Sequence, residues 1–552
     1  MEPISSVALK RLDLKSAVVA EARTERNLLP SEPSWGRIDS SAVRLADYLS
    51  NLLKSGFQPS PEVELLVRKP LHGSRPVPYW GILERVAYRA LVSAMLKTEP
   101  DLDRSVGAYL SFVAAPVLYA RAHPTDKVTR RPSLAKTTIF IDSTVQYVVQ
   151  SDLTAFYQFI DHAILAEALL LRGADFELIQ ALVALLEEVQ GRKYGLPQLI
   201  DSSDRLSDIY ADIIERELLR GGLAVWRFND DFRIACESYG HAINAIESLD
   251  ASARRVGLVV AEHKTVTIGI GKYLIDNLGQ SAVQDVGTIS PDDLESLVGD
   301  YSDEFGEADT DAALAVICSA RVMQSEVTDG SERAVVGSSD HSVHGETEES
   351  VSAGEAPWIN LRRLRNDEIR LLRRALNGLA ASIDSRAVSD VVRLAAYVPA
   401  LMPNLMRYLK RVGQTAPAEV AEAIDNLIRN LSLNAWQRVW LVDLIRDLQL
   451  PLDAERGSTR IGWLSDQRAQ SASPPLRAYA TFALASAGVI RMQDVIDEAD
   501  QSPSALLHIY TAAAFALRSQ RTASDSGRAD ELTSAWAKSS VLHARLLFGD
   551  EE

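Results

Sequence analysis

The sequence predicts an α+β chain that continues into an all-α, HEAT-like helical repeat domain. Three observations carry this expectation. Short β-prone runs and amphipathic helical segments alternate up to residue 275. A stretch rich in Ser, Gly and acid then interrupts the pattern, and from residue 358 onward every periodic segment has helical spacing. With 552 residues, 47% of them hydrophobic and 24% charged, the chain is long enough for several domains with real cores.

Residues 40–55 place apolar side chains three and four apart between opening serines and Gly56, the pattern of an amphipathic helix. Residues 81–97 and 162–190 carry the same spacing, the second broken near Gly173. Tyr147-Val148-Val149 is β-prone and runs into Ser151-Asp152. Residues 223–228 and 232–236 are β-prone runs flanking Asn229-Asp230-Asp231, which predicts a hairpin whose tip carries two carboxylates. Residues 255–270 predict another strand pair turning near Glu262-His263. Gly269-Ile270-Gly271-Lys272 lacks the spacing of a phosphate-binding P-loop and is expected to close a β-hairpin.

From Ser281 to Ala320 there is no Lys or Arg against ten Asp and Glu, and residues 325–357 are too poor in large apolar side chains to offset their ordering entropy. That segment reads as a disordered linker. Beyond it, helical segments at 361–383, 389–411, 418–431, 435–448, 475–487 and 503–518, with short breaks at Gly, Pro, Asn or Ser, predict stacked antiparallel pairs. An irregular bundle is the alternative. The expected domains are an N-terminal region over 1–145, a carboxylate-bearing region over 146–275, an acidic connection and linker over 276–357, and the helical repeat over 358–552.

Charge and cysteine content narrow the function. Lys and Arg total 58 against 75 Asp and Glu, a net charge of −17, so any nucleic-acid contact must use a local basic channel. Cys236 and Cys318 are too few for a disulfide framework or a cysteine-rich zinc site. No apolar run approaches the roughly 18 residues of a membrane span, and the first residues lack a secretory h-region. The expectation is a soluble, cytoplasmic protein with no membrane partner.

Three aspartates stand out for chemistry: Asp152 after one predicted strand, and Asp230 and Asp231 at a predicted hairpin tip. Nucleotidyl transfer needs carboxylates converging on two divalent ions, one to activate a 3′-hydroxyl and one to neutralise departing pyrophosphate. Mg²⁺ favours such sparse carboxylate sites, with phosphate oxygens completing its shell. Taken alone, adjacent acids are more often a solvated turn.

Their company is more specific. Gln150 to Tyr157 (QSDLTAFY) is followed by Ile160 and His162, then Gly195-Leu196-Pro197-Gln198 with Ser203 and Leu206. Phe228-Asn229-Asp230-Asp231 follows, then Gly257-Leu258 with Lys264-Thr265. Upstream lie Arg68-Lys69-Pro70, Arg75-Pro76 and Glu84-Arg85-Val86 through Ala90-Leu91. In this order and spacing, over residues 65 to 270, these segments resemble motifs A, B, C and D and the fingers motifs of the reverse transcriptases.

The resemblance implies a fingers–palm (right-hand polymerase) core. Asp152, Asp230 and Asp231 would be catalytic and would bind two Mg²⁺ or Mn²⁺ ions, with the Leu153 carbonyl completing one shell. Lys69 and Arg75 would bind the incoming triphosphate, Tyr157 would stand against the sugar and exclude a ribose 2′-hydroxyl, and Gln198 would contact substrate. Lys264 would bind or protonate the pyrophosphate. Their ordinary roles are a core tyrosine, exposed surface cations and a strand-end lysine.

The sequence departs from the family at Leu199, where many members have glycine, and it has no cation between Ser281 and Ala320, where many have a gripping thumb. With its helical C-terminal region, it most resembles the bacterial abortive-infection and defence-associated reverse transcriptases. That resemblance implies dNTPs and nascent DNA as partners, a phage-derived trigger and a homo-oligomer. Synthesis would be either untemplated and primed on a protein hydroxyl, or templated by a partner non-coding RNA. A polymerase-derived scaffold without catalysis is the non-enzymatic alternative. Tyr397, Tyr408, Tyr479 and Tyr510 are formal priming candidates. Arg362, Arg363, Arg365, Arg370, Arg373 and Arg374 crowd one helix and could line a nucleic-acid channel or form a solvated face.

Overall fold

A computed structural model describes residues 1–24, 28–31, 42–69, 73–100, 102–125, 143–278, 310–321, 359–361, 364–448 and 456–520. The expected linker, most of the acidic stretch, Pro70, Arg362 and Arg363 lie outside them. Helices dominate, and no helix among the described residues is long and apolar enough to cross a membrane. The chain divides into two compact units. One comprises Met1–Val67, Arg75–Glu304 and Ile461–Glu552; the other comprises Arg68–Ser74 and Phe305–Arg460.

The first unit is built on an antiparallel sheet. Its strands are β3 (Tyr147–Asp152), β4 (Ala224–Phe228), β5 (Asp231–Cys236) and β6 (Val266–Gly269), in the order β4-β5-β3-β6. Upstream, β1 (Val63–Arg68) and β2 (Ser74–Tyr79) form a separate two-stranded sheet. Successive strand residues point to opposite faces, and both faces of β3 are covered, so Val148 and Val149 are each fully buried. On one face Val149, Leu153, Phe232 and Ile234 join a core shared with the helices Ile82–Met95, Phe176–Gln190, Asp201–Arg220 and Tyr239–Arg255. On the other, Val148, Ala235 and Phe228 pack with Phe112, Val113 and Val117 of the helix Val106–Ala122 and with Tyr273 and Leu274 of the helix Ile270–Leu278. Two-sided burial explains why Tyr147-Val148-Val149 and Ile234-Ala235-Cys236 are consecutive apolar residues instead of alternating with polar ones.

The expected helices appear at Ala42–Ser55 and Ile82–Met95, and as the pair His162–Leu171 and Phe176–Gln190 separated around Gly173. Gly173 takes φ +80°, a left-handed conformation suited to ending a helix. The expected strand pair over 255–270 does not form. Arg255 ends a helix, Glu262–Lys264 is a 3₁₀ turn, and only Val266–Gly269 is a strand. The two arms cannot pair with each other because both use the same neighbour. Thr154 N donates to Val259 O (2.8 Å) and Ala261 N to Asp152 O (2.7 Å), while β6 pairs with Tyr147–Gln150. Nor does Gly269-Ile270-Gly271-Lys272 close a hairpin: Gly269 ends β6 and Ile270 starts a helix.

The second unit packs the helices Thr310–Ser319, Asn366–Ala381, Met402–Val412, Pro417–Asn430 and Ala435–Leu448 in succession. The helix expected over 389–411 is interrupted: Val391–Tyr397 stops at Val398 (φ −128°, ψ 68°), because Pro399 disfavours helical backbone in the residue before it. Arg460 and Asp425 form a buried two-point ion pair at 2.8 and 3.1 Å within this unit. Residues beyond 358 are helical apart from short turns and the two-residue strand Ile359–Asn360 among those described, and they divide between the two units at residue 460.

Candidate active site

The sheet register brings the three aspartates together. Asp152, the last residue of β3, stands directly opposite Asp231, the first of β5, and Asp230 occupies the turn between β4 and β5. Directly paired strand residues lie about 5 Å apart at Cβ on the same face, and like charges there repel. The turn is sharp because Phe228 pairs with Asp231, leaving only Asn229 and Asp230 to reverse the chain. Asn229 takes φ +62°, which asparagine tolerates better than most side chains. The Leu153 amide donates to Asp230 O at 3.2 Å and ties the turn to the end of β3. The pairing with 259–261 uses backbone groups of Asp152 and Thr154 and passes over the Leu153 carbonyl.

Burial first, then the neighbouring Asp152 and Asp231 charges, push the Asp230 carboxyl up to about 6. Asp231 is also raised, by burial, with Arg233 opposing. Two cations offset the acid. Lys264 Nζ donates to Asp152 Oδ2 at 2.7 Å, and Arg233 Nη1 lies 3.9 Å from Asp231 Oδ1. Burial lowers the Lys264 pKa, but its bond to Asp152 and the three carboxylates outweigh that and leave it raised. Among the described residues no group of three or more His, Cys, Asp or Glu side chains is arranged to hold a metal ion. The donor chemistry still suits a hard divalent ion: under-neutralised carboxylates with a backbone carbonyl beside them, few enough that waters and substrate phosphates would complete the shell.

Tyr157 sits one turn beyond Asp152, in the 3₁₀ turn Phe156–Gln158. Its hydroxyl donates to Asp204 Oδ1 at 2.5 Å and accepts from Ser207 Oγ at 3.2 Å, so the helix Asp201–Arg220 fixes the ring. Burial raises the pKa of both Tyr157 and Asp204. Leu196 N donates to Tyr157 O (2.7 Å) and Gly195 N to Ile160 O (2.8 Å), which aligns residues 195–198 alongside residues 157–160. Gln198 is half-buried on that segment. Leu199 adopts φ +63°, the left-handed region that favours glycine, so the backbone shape expected of a glycine is kept with a leucine in it. Lys69, just after β1, and Arg75, in β2, are both exposed.

Sequence reasoning missed three residues of this site. Arg233 shares the face of Asp231 two positions away, a signal that strand periodicity offers. It stacks over the Phe112 ring at 5.0 Å and donates to Phe232 O. Asp204, 47 residues along the chain from Tyr157, anchors its hydroxyl. Arg104 carried no local signal; it lies before the helix Val106–Ala122, with its guanidinium 5.7 Å from the Phe228 ring centroid. Of the priming candidates, Tyr408, Tyr479 and Tyr510 are buried and Tyr397 is 43% exposed. Within the arginine-rich helix, Arg365 pairs with Glu368.

No protein-family model matches the chain, and no curated protein matches it. A solved structure of apo telomerase from Candida tropicalis is similar at 11% identity, over 80% of this chain and 68% of that one, with a TM-score of 0.27. A likeness that loose carries no argument.

Proposed function

We propose that this chain is a DNA polymerase of reverse-transcriptase type, joining deoxynucleotides by two-metal nucleotidyl transfer. The observation that carries the reading is the facing of Asp152 and Asp231 across β3 and β5, with Asp230 in the adjoining turn. A fold has no structural use for three mutually repelling carboxylates at one strand end, whereas a site for hard divalent ions does. Asp152, Asp230 and Asp231, with the Leu153 carbonyl, would hold two Mg²⁺ or Mn²⁺ ions. When bound, these supply activation of the 3′-hydroxyl and charge neutralisation at the pyrophosphate. Lys264, which donates to Asp152, would bind or protonate the leaving group. Tyr157, held by Asp204 and Ser207, presents a fixed ring that discriminates against a 2′-hydroxyl. Lys69 and Arg75 would bind the incoming triphosphate.

The resemblance to abortive-infection enzymes directs the reading further, to anti-phage defence in the cytoplasm. Product analysis tests it. Purified protein is incubated with Mg²⁺ and labelled dNTPs, with and without ribonuclease pretreatment, and the product is treated with protease or DNase. DNA that forms after RNA removal and stays attached to protein supports untemplated, protein-primed synthesis. DNA lost on ribonuclease treatment indicates a bound RNA template. No product under either condition contradicts the polymerase reading.

A further inference from the structure

Arg85 pairs with Glu21, Arg227 with Asp208 and Glu215, and Arg460 with Asp425. At Arg233, Arg374, Arg393 and Arg477 a single buried atom, Nε, has no hydrogen-bond partner among the described residues. At Arg104 two adjacent donors are in that state: Nε and Nη2 are both buried, and neither has a hydrogen-bond partner among the described residues. Those two N–H groups point the same way along one edge of the guanidinium, the edge that grips two oxygens of a single oxyanion. Burying such a donor without an acceptor is unfavourable, so an edge with both donors unmet calls for a ligand, an ordered water or a defect in packing.

Its position favours a ligand. The strand register puts Phe228, Asp231 and Asp152 on one face of the sheet, the face covered by the helix Val106–Ala122. Arg104 stands just ahead of that helix, over Phe228, whose ring is also held edge-on by Tyr109 at 5.3 Å. It is also close enough to Asp204 and Tyr157 for its charge to lower the pKa of both against the dominant effect of burial. The fork therefore lies on the carboxylate-bearing face, between the catalytic hairpin and the tyrosine assigned to the sugar.

We propose that the Nε/Nη2 edge of Arg104 is a phosphate-binding site, gripping two oxygens of one phosphate group of a nucleotide or of a nucleic-acid strand. Phosphate as the anion rests on the polymerase reading; the vacant fork does not. It adds to Lys69 and Arg75 a cation that is held in place by packing on an aromatic ring.

The test uses the full-length protein, wild type and the variants Arg104→Gln and Arg104→Lys, with two probes: labelled dATP in Ca²⁺, and a fluorescent dT15 oligonucleotide in EDTA across a salt series. Thermal melting of each ligand-free variant is measured alongside. The expected result is a roughly ten- to hundredfold weaker affinity of Arg104→Gln for one probe, since two charge-assisted hydrogen bonds are lost. Arg104→Lys should recover only part of it, because an ammonium cannot form the fork. Weaker dATP binding assigns the site to the triphosphate. Weaker dT15 binding, with the salt slope reduced by about 0.7, assigns it to a strand phosphate. The ligand-free melting temperature should stay level or rise, because two unmet buried donors are removed. Unchanged binding of both probes by Arg104→Gln overturns the proposal, as does weaker binding accompanied by a lower melting temperature. Binding is read without turnover, so loss of affinity in Arg104→Gln supports the site even if the wild type incorporates nothing, which would count against the polymerase reading alone.

Discussion

Replacing Asp230 with asparagine should make the metal-free protein more stable at neutral pH and leave it unchanged in acid. The shape of Asp230 is retained and its charge removed. Its carboxyl is pushed up to about 6 from an ordinary value of 3.8, by burial and then by Asp152 and Asp231. A rise of about two units corresponds to about 2–3 kcal/mol of destabilisation once the group is ionised in both folded and unfolded chains. The sign follows from proton binding. Below pH 4 both states hold the proton and there is no penalty. Between pH 4 and 6 the folded chain still holds it while the unfolded chain has lost it, so stability falls as pH rises. Above pH 6 the full penalty is present. Thermal melts of wild type and Asp230→Asn in EDTA at pH 4.5 and pH 8 measure this directly. The account predicts a higher melting temperature for the variant at pH 8 and a much smaller difference at pH 4.5. Adding Mg²⁺ at pH 8 should raise the wild type more than the variant, by about 2.7 kcal/mol at a hundredfold excess over the dissociation constant. A variant less stable than wild type at pH 8 without metal would refute the idea that repulsion and burial set the state of this carboxyl.

Three further outcomes follow from the same geometry. Lys264→Gln should slow nucleotide incorporation by roughly a hundredfold or more if the ammonium serves the leaving group, yet change stability by less than about 1 kcal/mol because the side chain is 56% exposed; rapid-quench kinetics and melting together check it. Tyr157→Ala should raise the use of ribonucleotides relative to deoxynucleotides, whereas Tyr157→Phe should keep the discrimination, since the ring excludes the 2′-hydroxyl and the hydroxyl only anchors it; paired kcat/KM measurements decide. If product DNA is attached to one of the four candidate tyrosines, peptide mapping should find it on Tyr397, because Tyr408, Tyr479 and Tyr510 are buried and Tyr408 donates to Asp384 O at 2.7 Å.

The strands that position the carboxylates were legible in the sequence. Val148-Val149 and residues 232–236 are buried on both faces, which concentrates β-branched and aromatic residues into short runs, and the break at Asn229-Asp230-Asp231 marks a hairpin; the structure shortens that tip to two residues, since Asp231 belongs to β5 and pairs with Phe228. What failed was partner assignment. Residues 255–270 have strand character, yet their pairing with one edge of β3 in two separate pieces is a tertiary choice that no local period records. The helix Val106–Ala122 was passed over, and an internal Pro116 blurs its pattern, because neighbouring packing outweighs the intrinsic cost of proline. Asp204 and Arg104 lie far in sequence from the residues they serve, so only the folded chain shows that one anchors Tyr157 and the other stands over Phe228.

The central claim is that Asp152, Asp230 and Asp231 act together on divalent ions to transfer a nucleotide. Single asparagine variants of all three, each shown by circular dichroism to keep the wild-type fold, should be compared with wild type for Mg²⁺-dependent incorporation of labelled dNTPs. The account predicts that every variant loses activity by roughly a thousandfold or more. Wild-type incorporation by any one of the three would contradict it.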